Sequence, residues 1–493
     1  MRYLRALAVG FVITVALCSF SGCNVEETEV TDTEEITETQ KETQKKPGST
    51  STASKYDDEK PENPAQLPKY NGKDFTHADI YLGQQSEMRI SADTNEDEYK
   101  AYLKDLESCG FTEYATNKLG DNLFATYIDN EHILNVMFIP AFKQTRVIID
   151  KRSIFSLPGL EEENNYEDSS EPALILLSDD KISWPGRMGY VYQLADGSFF
   201  IIDGGWSDNT PSLSAAPLLM AVLEEYAPDP ENIKISAWLI THQHTDHLGA
   251  MYDIINSKEY RSKISVDKII YNMPSQLDLS TQDSNGKTLA TTGRKMTACI
   301  ANLQPKDVIK AHPGQVFYIK DLTLTIYHSH DLLLYAPIAS SDRFLITSIS
   351  THNDTSVVSK VEFQGKTTLY MGDSSAQANS NVLAPVFGSA LNADILQVAH
   401  HGYADTQANK VYTHLSPEIV FWPVRRGHYD GKNPDGSIYY ESGGAYTGVA
   451  SVGLNSSLFK EGIKHVFFQN DVCVVIDNFE TWEHYEWDAL PNE

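Results

Sequence analysis

The chain has 493 residues, 41% hydrophobic and 22% charged, with a mean hydropathy of −0.35, which fits a soluble globular protein with an apolar exception at its start. A single core rarely grows past about 250 residues, so the length allows two or three domains. The net charge of −29 repels polyanions at long range and weighs against a large nucleic-acid footprint, although a local basic groove stays open.

The first 23 residues have Arg2 and Arg5, an apolar run over 6–20, and then Ser21, Gly22 and Cys23. A basic start, a short apolar core and small residues before a cut are the marks of a secretory signal. The run is shorter than the roughly 20 residues a membrane span needs. The small pair before Cys23 resembles the lipobox of bacterial lipoproteins. That resemblance implies lipidation of Cys23 and anchoring to the outer face of the cytoplasmic membrane. Residues 24–68 are dominated by Glu, Thr, Lys and Ser, and cannot bury enough surface to offset chain entropy. They are expected to form a disordered acidic tether that holds the folded part away from the membrane. Cys109, Cys299 and Cys473 are odd in number and far apart, which indicates neither a disulfide framework nor a cysteine zinc site. All three are expected to be small buried core residues.

Residues 69–152 read as a small α+β accessory domain. Tyr99, Tyr102, Leu103 and Leu106 recur at helical spacing, with Gly110 where a C-cap belongs. Three strand-like runs follow, LFATYIDN, HILNVMFIP and TRVIID, so one helix against a small antiparallel sheet is expected. His77 and His132 are isolated and form no catalytic set. An acidic linker covers 153–171, and a further domain covers 172–485. It opens with a hairpin, MGYVYQLADGSFFIIDGG, turning at Ala195, Asp196 and Gly197, and a helix over 211–226. The strand KISAWLI then runs straight into THQHTDHLGA.

That last stretch places His242, His244, Asp246 and His247 within six positions, in a chain with only 15 histidines. On an extended loop, residues two apart share a side, so His242 and His244 can grip one cation; on a helix they would diverge. Asp246 and His247 project differently and can serve a second cation, with a helix over GAMYDIINS placing its positive end near Asp246. Two cations need a bridging carboxylate and another imidazole. Asp373 ends the run TTLYMGD, and His400 and His401 end ADILQVAHHG, so two further apolar runs deliver ligand-type residues at a C-terminal corner.

Together with IIDGG, these stretches resemble the metallo-β-lactamase superfamily over about 173–477. The likeness is greatest to the branch that holds the C-terminal domain of the bacterial competence DNA-channel protein and the phosphorylcholine esterases of surface proteins. The resemblance implies an α/β fold, an αββα four-layer sandwich, behind the small α+β domain. It implies His242 and His244 on a first metal, Asp246 and His247 on a second, and Asp373 between them. His400 or His401 would complete the second site, and His400 is preferred because it directly ends its strand. His330, with His328 behind it, is the candidate to complete the first site, the alternative being a residue that lines the cleft. Asp203 would brace the ligand loop from behind.

Two divalent cations lower the pKa of a shared water toward about 7 and so provide hydroxide at neutral pH. Asp246 would orient that nucleophile. Zinc suits imidazole and carboxylate ligands without thiolates, with manganese or iron as alternatives. Arg425, Arg426 and His428 follow a strand near the expected cleft rim, where an exposed loop is the simpler reading. The expected function is a surface-anchored hydrolase for a phosphodiester or related ester, with a cell-envelope polymer or a small ester as substrate. The alternatives are an extracellular nuclease, and a non-catalytic binding lipoprotein on a degenerate hydrolase fold.

Overall fold

A computed structural model describes residues 65–161, 165–178, 188–207, 214–274, 284–337, 351–403, 406–424, 462–469 and 472–487, with backbone alone over 284–292. Cys23, the tether as far as residue 64, and Arg425, Arg426 and His428 lie outside the described residues.

The first sheet holds six antiparallel strands: β1 (His77–Gly83), β2 (Ser86–Ala92), β3 (Thr112–Leu119), β4 (Asn122–Ile128), β5 (His132–Ile139) and β6 (Gln144–Lys151), in the order β1-β2-β6-β5-β4-β3. The three runs read from sequence are β4, β5 and β6, and three more strands join them. The β1–β2 hairpin turns on Gln84 and Gln85, both at positive φ (47° and 60°), where Asn-Gly would have signalled such a turn. Helix α1 (Glu96–Ser108) begins with a capping box between Asn95 and Glu98 and buries Tyr99, Tyr102 and Leu106 against Tyr127, Leu134 and Val147 of this sheet. Cys299 and Cys473 are buried as expected, but Cys109 is exposed, because it caps the C-terminus of α1 beyond its packed face.

Two larger sheets follow. The second is built from β7 (Ala173–Leu176), β8 (Gly189–Gln193), β9 (Phe199–Asp203), β10 (Ile233–Ile240), β11 (Ile264–Tyr271) and β12 (Asp307–Lys310). The third runs through β13 (Val316–Ile319), β14 (Leu322–His328), β15 (Val358–Phe363), β16 (Lys366–Tyr370), β17 (Ile395–Gln397), β18 (Ile419–Trp422) and β19 (His465–Phe468). β20 (Cys473–Ile476) and β21 (His484–Trp487) return to the second sheet beside β7. Between these two sheets Tyr192, Phe200 and Leu239 meet Leu324, Val361 and Phe421, a Leu, Val or Phe side chain being worth about 1.5–3 kcal/mol when fully buried.

The outer face of the second sheet is covered by α2 (Ala216–Tyr226), α3 (Thr245–Asn256) and α5 (Ser284–Leu303), with Leu219, Leu223, Met251, Ile255 and Ile300 packed on Ile201, Trp238 and Ile240; a short α4 (Lys258–Lys263) leads into β11. Helix α2 begins at Ala216, with Pro217 in its first turn, and the start expected at 211 lies outside the described residues. The outer face of the third sheet packs on the helical segment Ala378–Phe387. The result is four layers, α, β, β and α, with the smaller α+β part before them.

The first sheet is built onto this sandwich. Its second face sends Met88, Ile90, Met137, Ile139 and Ile148 into the same core as Leu332, Val358, Leu383 and Leu396. Gly314, at φ +90°, lies so close to Phe124 that a Cβ there would stand 2.2 Å from the ring. Buried charges cross the same junction. His312 Nε2 meets Asp150 of β6 at 2.7 Å while its Nδ1 meets Asp331 at 2.7 Å. Lys310 donates to the carbonyls of Leu82 and Gly83 at 3.0 and 3.1 Å.

Candidate metal centre

β9, β10 and β11 run parallel, so their C-terminal ends share one edge of the sandwich, and β16 and β17 end at the facing edge of the third sheet. Thr241 and His242 continue β10. His244 is the N-cap of α3, and Asp246 and His247 fall in its first turn, so the helix starts four residues before the GAMYDIINS stretch. That start explains why Asp246 and His247 project apart from His242: they follow helical and not extended geometry. Gly249 is required by close approach, since a Cβ there would lie 2.3 Å from the backbone nitrogen of Ser207 in the loop after β9.

Across the cleft, Gly372 and Asp373 follow β16, with the Asp373 amide donating to Ser356 Oγ at 3.1 Å. Two donor sets result, in each of which every ligand atom lies within 4.8 Å of the others: Asp246, His247, Asp373 and His401, and His242, His244 and Asp373. Asp373 belongs to both. It stands 3.2 Å from His247 Nε2 and 3.8 Å from His242 Nε2.

The structure therefore draws His242, His244, Asp246, His247 and Asp373 together and brings in His401 where the sequence reading preferred His400. His401 Nε2 lies 3.5 Å from Asp246 and 3.8 Å from Asp373. His400 Nε2 turns instead to Asn353 Nδ2 at 3.0 Å and stands 3.9 Å from Asp373. The backbone decides this. Both residues take left-handed φ values, 44° and 53°, so the chain coils after β17 instead of continuing as a strand that ends on His400. Each such non-glycine residue costs on the order of 1–3 kcal/mol, and strain of this kind clusters at functional sites.

His330 joins neither set. It opens a short helical turn after β14, buried, with its Nε2 3.8 Å from Asp331 Oδ1. His328 behind it bonds the Ser356 carbonyl through Nδ1 at 2.9 Å. His312, which also follows a strand end, lies apart from the donor sets between Asp150 and Asp331.

Residues behind the donor sets fix which nitrogen faces inward. Asp203, itself at φ +57°, accepts His247 Nδ1 at 2.7 Å and also the amide and hydroxyl of Thr241. His401 Nδ1 donates to the Pro423 carbonyl at 2.7 Å. Each bond places the ring proton outside and the Nε2 lone pair inside, as metal-binding histidines require. The inward atoms His242 Nε2, His247 Nε2, Asp373 Oδ1 and His401 Nε2 are buried without a hydrogen-bond partner among the described residues. Unpaired buried polar atoms are costly, so four on one point form a cradle for cations.

Charge agrees with this fit. Burial and the neighbouring imidazoles hold His242 well below the usual imidazole range, leaving a neutral ligand. Burial opposes a proton on His247 too, but Asp373, Asp203 and Asp246 outweigh it and carry that ring well above its ordinary value. Burial would lift Asp373, yet His247, His401 and His400 keep it well below the carboxylate range. A site that strains to hold protons next to carboxylates is one that divalent cations can neutralise.

The model of the metallo-beta-lactamase superfamily matches residues 184–413, which include every residue of both donor sets. The chain carries the metallo-beta-lactamase fold. The match supports membership of that superfamily. Among solved structures, the metallo-beta-lactamase fold protein YhfI from Bacillus subtilis is 13% identical, with 60% of this chain and 96% of that one covered at a TM-score of 0.31. CmlA, a diiron beta-hydroxylase from Streptomyces venezuelae, is also 13% identical, covering 60% of this chain and 53% of its own at 0.32. A putative zinc-dependent hydrolase of the superfamily from Thermotoga maritima is 11% identical, covering 60% and 99% at 0.24. Similarities this low bear on neither substrate nor mechanism. No curated protein matches the sequence. Within the metallo-beta-lactamase fold, the donor sets sit where β10, α3, β16 and the turn after β17 converge.

Proposed function

We propose that the chain is a dinuclear, metal-dependent hydrolase of a phosphodiester or related ester, tethered to the outer face of a bacterial membrane through a lipidated Cys23. The observation that carries the hydrolase reading is the sharing of Asp373 between two donor sets, in which His242 Nε2, His247 Nε2 and His401 Nε2 are buried without a hydrogen-bond partner among the described residues. His242 and His244 would hold one cation, Asp246, His247 and His401 the other, and Asp373 both. Bound there, a cation pair would supply Lewis acidity and bring the pKa of water toward neutrality. Zinc is the ion proposed for this thiolate-free set.

The chain's own residues do the rest. Asp246, the more open carboxylate at 18% side-chain exposure against 2% for Asp373, faces the cleft and can take a hydrogen bond from a nucleophile and orient it. Asp203 and Thr241 fix the His247 ring, and the Pro423 carbonyl fixes His401, so the inward lone pairs need not reorganise. His400 is 18% exposed and bonded to Asn353, which suits it to meeting an oxygen of the substrate rather than a cation. An ester of a decorated envelope polymer, or a small ester, suits an anchored enzyme. The net charge of −29 opposes a nuclease, whose affinity would rest on phosphate contacts.

Purified full-length protein loaded with zinc is expected to carry about two metal atoms and to hydrolyse a chromogenic phosphodiester, with activity falling at least 100-fold in His244→Ala and Asp246→Ala. A folded protein with no bound metal and no response to chelator would establish the binding-lipoprotein reading in its place.

A further inference from the structure

Outside the metal centre, a cleft of about 270 Å³ lies between the edge strand β3, its neighbour β4, the segment at 158–160, and the turn from Pro313 into the edge strand β13. It is built by both parts of the molecule. In a chain with 22% charged residues, none of the side chains lining it belongs to Asp, Glu, Lys, Arg or His. Its walls instead combine aromatic rings, among them Tyr114 and Tyr318, with neutral hydrogen-bonding groups such as Thr116, Asn117, Asn135 and Gln315.

Several of these groups are already fixed. Tyr114 donates to the Pro158 carbonyl at 2.6 Å, which sets its ring against the cleft. Gln315 Oε1 accepts the His312 amide at 2.9 Å, and among the described residues its amide nitrogen has no protein partner, nor has the Tyr318 phenol. Asn117 donates to the Gly314 carbonyl at 3.0 Å, and Phe124 packs on the same glycine, so the two edges are joined across one end. A strand running through from end to end has no path. A compact occupant does.

We propose that this cleft binds one uncharged sugar ring. A pyranose presents flat C–H faces that pack on aromatic rings and a rim of hydroxyls that pair with neutral amides and phenols; it carries no charge to be stranded in a wall without ions. The volume sits at the small end of the range of about 300–1,000 Å³ found for ligand sites, which fits a single ring better than an extended chain. The Pro313 turn follows β12, whose end lies on the same sheet edge as that of β10, two strand spacings or roughly 10 Å along.

The test is titration of the full-length protein with the neutral trisaccharides N,N′,N″-triacetylchitotriose, maltotriose and cellotriose, followed by calorimetry and by ligand-observed NMR, in the presence of chelator. Carrying out the titration without metal keeps it independent of the hydrolase reading, which can fail while this one stands. Saturable binding of at least one trisaccharide, weakened at least tenfold in both Tyr318→Ala and Gln315→Ala with unchanged thermal melting, is the expected result. Tyr318→Phe, which keeps the ring and removes only the hydroxyl, should fall between. Absence of saturable binding to all three overturns the proposal, as does binding that survives both alanine substitutions. Binding of an extended Val-Thr hexapeptide that the two substitutions abolish, with no sugar bound, overturns it in favour of strand addition.

Discussion

His400 and His401 differ by one position and by everything that decides ligation. The two left-handed residues turn one imidazole onto Asp246 and Asp373 and the other onto Asn353. His401→Ala is therefore expected to lower the metal content of purified protein from about two atoms per chain toward one, while His400→Ala keeps both; elemental analysis of the two variants reads the difference. The members of THQHTDH were legible because their spacing is itself the geometry, and Asp373 because a glycine-aspartate corner closes an apolar run. The choice between the tandem histidines was not legible, since it rests on two backbone angles that no residue type at 400 or 401 announces. His330 differs for the opposite reason: a histidine near the end of a strand is the right kind of residue, but the short turn it opens leaves it in neither donor set.

At the scale of elements, α3 carries the clearest conflict between local preference and packing. Alanine is better than glycine inside a helix by roughly 1 kcal/mol, which alone would make Gly249→Ala stabilising. The new Cβ would lie 2.3 Å from the Ser207 backbone nitrogen, where no flexible side chain can yield. Overpacking of this kind costs about 1–3 kcal/mol, so the urea midpoint should fall, and the loop after β9 should move away from Asp203. The hairpin β8–β9 was readable from its Asp-Gly turn and its alternating runs. β1, β2 and β3 were not, because Gln84 and Gln85 adopt a turn that other residues advertise and because β3 alternates polar residues on an exposed edge.

Across the whole molecule, His312 joins the small sheet to the sandwich through Asp150 and Asp331. Burial alone would lower its pKa, but the two carboxylates raise it to about 9. A group raised in the folded state contributes fully below its unfolded value of roughly 6.5, and that contribution disappears as pH climbs through the folded value. Melting temperature should therefore drop between about pH 7 and 10. In Asp150→Asn the same interval should be flatter, from a lower starting point; a wild-type curve with no slope there would rule out a charged His312. Sequence indicates a small α+β accessory domain, and its helix and three of its strands are readable. That its second face is also core could not be read, since Met88, Ile90 and Met137 look the same whether they meet one partner or two.

That shared face has a consequence for how the protein comes into being. A ribosome or export channel delivers the N-terminal part first, and the sheet closed by Asp150 is complete roughly 180 residues before Asp331 and the adjoining Leu332 emerge. At synthesis rates of about 5–20 residues per second, this leaves one apolar flank uncovered for roughly 10–40 seconds in every newborn copy. During that interval the uncovered flank is prone to aggregation, and the arrival of the later segment is what buries it.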